Sequence, residues 1–257
     1  MNKKVESHGK VKFRSNAQMV LWNASDYPRV NSFYLKCQDL SKAVMAYSNA
    51  AKEQLMLKVI DPLRYNEELY QHAVHMADDF SNELNKKIDE LEQGCKKYKY
   101  SDKKNGFELY STKVEPRTIA ITDNTLVNPA LKVYAQLISN AGTQEFRYIA
   151  SGTSSGLTTP DMNDLRAENS RLDIFVNGGF RNPNGDVVRE GVIFPPALDD
   201  ALVKEFGSFT SPAMNAGIMQ WRNIIDVASE QIEHDQGNTF YSIAHNTILE
   251  IGFIECG

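Results

Sequence analysis

In the N-terminal part of the chain, apolar residues recur at steps of three and four, the spacing of a helix with one apolar face. One stripe runs through residues 40–59 and a second through residues 69–91. Asp61-Pro62 separates them, because proline is accepted in the first turn of a helix but not in its interior. The pattern predicts two long amphipathic helices, the second ending near Gly94. Their stripes need a partner, which is each other, the rest of the chain or a neighbouring subunit.

On both sides of this helical region the pattern is that of strands. Residues 10–22 predict a strand, and the polar, turn-forming residues 101–106 predict a domain boundary. Residues 182–185, Asn-Pro-Asn-Gly, predict a hairpin turn. Beyond the boundary, short runs rich in β-branched and aromatic residues predict strands at 107–114, 117–121, 145–150, 171–177, 186–194, 239–244 and 247–255.

Three further segments of this strand-rich part predict helices. Asn128-Pro129 begins one that ends at Gly142, and Pro195-Pro196 begins a second. Ser211-Pro212 begins a third, with apolar residues at helical spacing at Trp221, Ile225, Ala228 and Ile232.

We therefore predict an α+β protein with an N-terminal pair of long amphipathic helices and a C-terminal β-rich, sandwich-like domain with inserted helices. The first predicted domain covers 1–105, including a short N-terminal β segment. The second covers 106–257, with a helical insertion at about 196–234.

Composition restricts the class of function. The chain has 257 residues and a formal net charge of -5, which argues against a protein whose main role is to coat nucleic acid. No stretch approaches the about 20 apolar residues that span a bilayer, and the N-terminus lacks the apolar region of a secretory signal. Cys37, Cys95 and Cys256 have no metal-site spacing and predict free thiols in a reducing cytoplasm.

Residues 146–171, FRYIASGTSSGLTTPDMNDLRAENSR, combine a short β-rich run, a loop of Gly, Ser and Thr, and a turn at Thr159-Pro160-Asp161. A short helical phrase, Leu165, Glu168 and Arg171, follows. A phosphate-binding loop needs a Lys followed by Ser or Thr, and a dinucleotide loop needs three spaced glycines that open a helix. Residues 152–159 supply neither, so we expect a structural turn or a recognition surface.

Two other groups of residues have candidate chemistry. Glu68, His72, His75 and Asp79 lie along one side of the second predicted helix, and such side chains can bind a transition metal. One helix rarely completes a site, and a polar flank or subunit contact is the alternative. Seven lysines between residues 86 and 104, interleaved with Tyr98 and Tyr100, would suit a nucleic-acid contact. A helix C-terminus followed by a solvated loop is the commoner explanation of such a run.

Nucleophilic catalysis requires Ser, Cys or Thr with a base and an orienting group. The chain has no G-x-S-x-G motif and no cysteine in a recognisable catalytic context. We therefore predict that the protein is not an enzyme and needs no cofactor.

Several short motifs in the C-terminal half have a familiar order. A helix at 129–142 precedes the strand and loop Tyr148-Ile149-Ala150-Ser151-Gly152-Thr153-Ser154, and the turn at 159–161 precedes the Leu165, Glu168, Arg171 phrase. Residues 246–253, NTILEIGF, form a late strand, with a partial echo at 189–194. This half of the chain resembles the β-rich domains of tailed-phage tail, baseplate and fibre proteins. The two helices predicted between 195 and 233 depart from that family's β region and suggest an inserted contact element.

The resemblance implies a structural component of a tailed virus particle, in the tail, baseplate, fibre or neck, located in the virion after assembly in the host cytoplasm. Its expected partners are further copies of itself, other virion proteins and a host receptor, with no membrane insertion and no nucleic acid. The alternatives are a metal-dependent enzyme that uses the Glu/His/His/Asp stripe and a cellular nucleic-acid accessory module. The residues expected at subunit interfaces are Tyr47, Leu55, Met76, Phe80, Leu84 and Trp221.

Overall fold

A computed structural model describes residues 8–97, 117–120, 125–131, 133, 145–154, 156–176, 178–184, 187–196, 203–224 and 239–254. The α+β prediction is confirmed: two long helices precede a β-rich part built from two antiparallel sheets. Among the described helices, none is long and apolar enough to cross a membrane.

In the described residues, ten strands form the two sheets. In chain order they are β1 His8–Asn23, β2 Arg117–Ala120, β3 Thr125–Leu126, β4 Tyr148–Gly152, β5 Glu168–Asp173, β6 Phe180–Asn184, β7 Val187–Phe194, β8 Glu205–Phe209, β9 Met219–Ile224 and β10 Thr239–Ile254. The first sheet has the order β2-β1-β10-β7-β6 and the second the order β3-β9-β8-β4-β5. The first sheet joins β1, from the predicted domain 1–105, with strands of the predicted domain 106–257, because β1 pairs with β10 over its whole length.

A short 3-10 turn, Ala24–Asp26, leads from β1 into helix α1, Tyr27–Ile60, and helix α2 covers Glu67–Lys97. The two predicted helices are therefore confirmed, but α1 begins earlier than its stripe suggested, with Pro28 in its first turn. Helix α2 begins after a turn at 61–66 instead of at Pro62. The side chain of Asn66 caps it by accepting a hydrogen bond from the Leu69 N–H at 3.1 Å.

Three clusters of buried side chains order the layers. Val30, Tyr34 and Cys37 of α1 pack with Leu84 of α2 against Trp22 and other residues on one side of the first sheet. A second cluster joins the two sheets and includes Met19, Ile149, Val192, Phe206, Trp221 and Ile243. The third covers the far side of the second sheet and includes Val127 and, in the short helical segment that follows it, Ala130. The order is thus helical hairpin, first sheet, second sheet and an outer layer of loops and short helix.

The helical hairpin also covers the edge of the first sheet. The hydroxyl of Ser41 donates to the carbonyl of Arg181 at 2.6 Å and accepts from the N–H of the same residue at 3.0 Å. Asn182 of the same edge strand donates to the Ser81 carbonyl of α2 at 3.0 Å. Open strand edges pair readily with other chains, and this contact closes the edge at β6.

Only the sheet-proximal parts of the two helices touch the sheet. Among the described residues, hydrogen bonds and core packing between hairpin and sheet involve α1 up to Ser41 and α2 from Ser81 onward. Farther out the helices pack on each other, burying Val44, Ala51 and Ala73. At 1.5 Å per residue, the part of α1 beyond Ser41 extends roughly 28 Å from this contact.

The predicted helical insertion at about 196–234 is wrong in its described residues, which contain strands β8 and β9. All five residues of β8 are buried, because the second sheet is covered on both sides, so the strand shows no apolar/polar alternation. The helical phrase at Leu165, Glu168 and Arg171 is also wrong, because Glu168–Asp173 is strand β5. Residues 239–254 form one strand where two were predicted, and the strand predicted at 107–114 lies outside the described residues.

Candidate functional site

The Gly/Ser/Thr loop after β4 lies over the outer side of the second sheet, above a buried ion pair. Arg222 of β9 contacts Glu205 of β8 through Nε at 2.6 Å and Nη2 at 2.5 Å, and neither side chain is exposed to solvent. The register of the two strands sets this pair, because Glu205 lies opposite Ile224 and Gly207 opposite Arg222. Diagonal neighbours on one face of an antiparallel pair are within reach of long side chains.

The ion pair holds the loop through its backbone. Oε1 of Glu205 accepts from the N–H of Ala167 at 2.8 Å, and Oε2 accepts from the N–H of Arg166 at 3.3 Å. Nη1 of Arg222 donates to the carbonyl of Gly156 at 2.6 Å and to the Thr158 hydroxyl at 2.9 Å. Backbone and hydroxyl groups near both ends of the loop are therefore hydrogen-bonded to Glu205 and Arg222 of the second sheet.

The glycines of the loop have a packing reason. A Cβ added at Gly152 would lie 2.7 Å from Oε1 of Glu205, and one at Gly156 would lie 2.8 Å from Cδ of Arg166. Close backbone approach to the ion pair and to Arg166 accounts for both residues. This arrangement matches the expected structural turn, since loop carbonyls point at a cation of the protein itself.

A second buried ion pair holds the neighbouring loop. Arg171 and Glu168 form a bidentate contact, with Nε–Oε1 at 2.6 Å and Nη2–Oε2 at 2.7 Å, and Arg171 stacks 3.9 Å from the ring centre of Phe209. Nη1 of Arg171 donates to the carbonyls of Ser211 and Ala216 at 2.7 and 2.8 Å. Residues three apart point to opposite sides of a regular strand. The register shift opposite Ser151/Gly152 brings these two to one side.

The two loops also bind each other. Asn163 donates to the carbonyl of Gly217 at 2.8 Å and accepts from the N–H of Met219 at 3.3 Å. We call residues 153–167 and 210–218 the loop face. It exposes Leu157 and Met214 on a framework fixed by buried charge. Sequence reasoning missed Glu205 and Arg222, which it had placed in helices.

The Glu/His/His/Asp stripe, a candidate for metal binding, lies along α2 on the outer part of the hairpin. The side chains of His75 and Asp79 are 73% and 57% exposed and lie 3.4 Å apart, while the His72 ring packs edge-on against Tyr47. Glu68 is exposed. Within the described ranges, no three His, Cys, Asp or Glu residues come together in a way that would hold a metal ion.

The other candidate chemistry is likewise dispersed. The Cys37 thiol lies in the core under the hairpin, and burial raises its pKa to about 12, which opposes nucleophilic reactivity. Of the lysine run, Lys87 lies 5.8 Å from the ring centre of Phe33, and residues 98–116 are outside the described ranges. A depression on α2 is lined by Asn82, Asn85, Lys86, Asp89 and Glu90, and it lacks the apolar lining typical of a small-molecule site.

The expected interface residues fall into three groups. Leu84 and Trp221 are fully buried inside the chain, Leu84 under the hairpin and Trp221 between the sheets, so their assignment to a subunit interface is wrong. Tyr47 and Phe80 stack on each other at 5.7 Å between the helices, and Met76 is partly buried nearby in sequence. Only Leu55 is an exposed large hydrophobic residue.

Leu55 belongs to a concentration of exposed apolar residues at the far end of the hairpin. We call residues 55–69 the hairpin tip. Six of the eleven exposed large hydrophobic residues in the described part of the chain lie there, so the exposed apolar surface is concentrated at one place. They are Leu55, Met56, Val59, Ile60, Leu63 and Leu69, with Leu63 98% exposed.

The turn of the hairpin tip is held by hydrogen bonds and a cation–π contact among its own residues. The N–H of Asn66 donates to Oε1 of Gln54 at 3.0 Å, which ties the turn back to α1. Tyr65 donates to Glu67, which raises the pKa of the Tyr65 hydroxyl, and Lys58 lies 4.8 Å from the Tyr65 ring centre. Exposed apolar residues on an ordered turn are typical of a contact surface.

No known protein family, curated protein or solved structure matches this chain.

Proposed function

We propose that the protein is a non-enzymatic structural component of a tailed virus particle and acts through protein–protein contacts. The observation that carries the protein-contact role is the hairpin tip, where apolar side chains are presented on an ordered turn roughly 28 Å from the sheet contact. The tailed-particle assignment rests on the resemblance of the motifs between 129 and 253.

The way the loop face is held by buried ion pairs supports a structural role for the protein instead of a catalytic one. Two buried Arg–Glu pairs of the neighbouring strands, Arg222–Glu205 and Arg171–Glu168, hold the loops of the loop face in place. A fixed surface loses little conformational entropy when it binds a partner. The loop face, with Leu157 and Met214 exposed, is therefore a second candidate contact surface.

Quantitative mass spectrometry of purified tailed particles from the source of this sequence tests the proposal. We expect the chain at a fixed copy number relative to the major tail protein, because a structural component occupies a defined number of symmetric positions. A chain that is abundant in the infected lysate and missing from purified particles would refute the proposal. Disruption of its gene supplies a matched control, since particles should then lose a defined substructure.

A further inference from the structure

The outer part of α1 has an apolar stripe that faces away from α2. Ala51 is buried against α2, and helical geometry places Met56, Val59 and Ile60 roughly 80–180° around the helix from it. These three side chains are in residues that are 63%, 82% and 71% exposed. Leu55, about 40° from Ala51 and 44% exposed, borders them on the α2 side, and together they form what we call the tip stripe, residues 55, 56, 59 and 60. Apolar residues at this spacing form the face through which one helix packs on another.

The exposed apolar area is large for a free surface. The tip stripe and Leu63 together expose on the order of 600 Å², the upper end of the largest patches on typical monomers. A standard protein–protein interface buries about 800 Å² per partner, so the stripe and its polar border have nearly that size.

The charges at the two ends of the tip stripe favour a second copy of this chain as the partner that packs on it. Lys52 and Glu53 precede the stripe on α1, and Asp61 and Arg64 follow it in the turn after α1, where Arg64 Nε lies 4.0 Å from Oδ2 of Asp61. If two copies of α1 pack antiparallel about the centre of the stripe, Lys52 comes within one helical turn of Asp61 of the second copy. Such self-complementarity is what a two-fold interface requires.

We propose that the tip stripe is a homodimer contact, in which the hairpins of two copies pack antiparallel through α1. This contact specifies one partner for the proposed function. It rests on that function only in so far as the dimer is placed in a virus particle. In the pair, Met56 lies level with Val59 of the second copy, and the two bodies point in opposite directions from the paired tips.

Chemical crosslinking of the purified chain tests this pairing. In M56C the two new thiols lie close to the two-fold axis, so a short bismaleimide should convert the variant to a crosslinked dimer. E83C, on an exposed position of α2 near the sheet, and the unmodified chain with its own three cysteines are matched controls. Adding V59E to M56C should abolish the crosslink, because it puts two carboxylates into an apolar contact. Circular dichroism checks that the fold of each variant is intact.

Light scattering on a concentration series is the second readout. The chain should approach twice its mass of 29.0 kDa as concentration rises, while V59E remains at the monomer mass. Crosslinking of M56C no greater than that of E83C, or crosslinking that survives V59E, would overturn the pairing. A chain that is monomeric in solution yet present in purified particles overturns the pairing and leaves the proposed function standing. A chain that pairs through the stripe yet is missing from particles supports the pairing and overturns the proposed function.

Discussion

Replacing Glu205 by Gln removes the negative charge from the buried pair that holds the loop face to the second sheet. In the protein, the two carboxylate oxygens serve separate donors: Oε1 accepts from Ala167 N–H at 2.8 Å, and Oε2 accepts from Arg222 Nε at 2.6 Å. A glutamine has one acceptor oxygen and one NH2 group, so one of these donors would face another donor.

The expected loss of stability follows from this geometry. Arg222 would remain charged with its side chain fully buried, and removing one partner of a buried pair costs about 3–5 kcal/mol. Its contacts with the Gly156 carbonyl and the Thr158 hydroxyl persist, which favours the lower end of that range. The double variant E205Q/R222M should lose less than the sum of the two single variants, because it leaves no uncompensated charge.

Urea unfolding monitored by tryptophan fluorescence measures this free energy, with Trp221 adjacent to Arg222 as a local reporter. D79N is the matched control, since the ion pair of Asp79 with His75 lies on the surface and should change stability by less than about 0.5 kcal/mol. An E205Q variant within about 1 kcal/mol of the unmodified chain, at an unchanged denaturant slope, would refute the role of the Glu205–Arg222 pair in holding the loop face to the sheet.

Three further predictions concern the buried polar groups. S41A should cost about 1–3 kcal/mol in urea unfolding, because the backbone N–H and carbonyl of Arg181 lose their partner at the covered strand edge; a loss near zero would contradict edge capping. Burial raises the pKa of Cys37 to about 12, so iodoacetamide at pH 8 should label it, by peptide mapping, only in denaturant; rapid native labelling would contradict this. Burial also raises the pKa of Tyr241, whose hydroxyl donates to Ser151 at 3.0 Å. The unfolded chain then ionises first, so stability should fall as pH rises above about 10, and less so in Y241F; equal losses in both would contradict this cause.

The sequence was sufficient for the elements whose periodicity is simple. Both long helices were predicted from apolar residues at helical spacing, and β1 lies close to the predicted residues 10–22. Strands β8 and β9 were missed because both of their faces are covered, and a buried Glu205 or Arg222 reads as a polar position in any periodic pattern. Pairing between residues 17 positions apart on two strands depends on register, which composition does not encode.

The candidate site was likewise predicted from the sequence only in part. The structural nature of the loop at 152–159 followed from the missing phosphate-binding residues, and its geometry supplies the reason in Arg222. The interface residues were chosen by size and spacing, which cannot separate a stripe facing the core from one facing solvent. Leu84 and Trp221 proved to be core residues, while Met56, Val59 and Ile60, which are exposed, were not chosen. Val59 belongs to the predicted stripe of residues 40–59, and Met56 and Ile60 each follow a residue of that stripe.

We propose that the hairpin tip makes the contacts of this protein with other chains in a particle. Lysine-directed crosslinking and mass spectrometry of purified tailed particles tests it most directly. Lys52 and Lys58 lie at or beside the tip, whereas Lys36 and Lys204 lie nearer the sheets and serve as internal controls. We expect links to other chains to come mainly from Lys52 and Lys58. Links to other chains from Lys36 and Lys204 alone, with only intrachain links at the tip, would contradict the account.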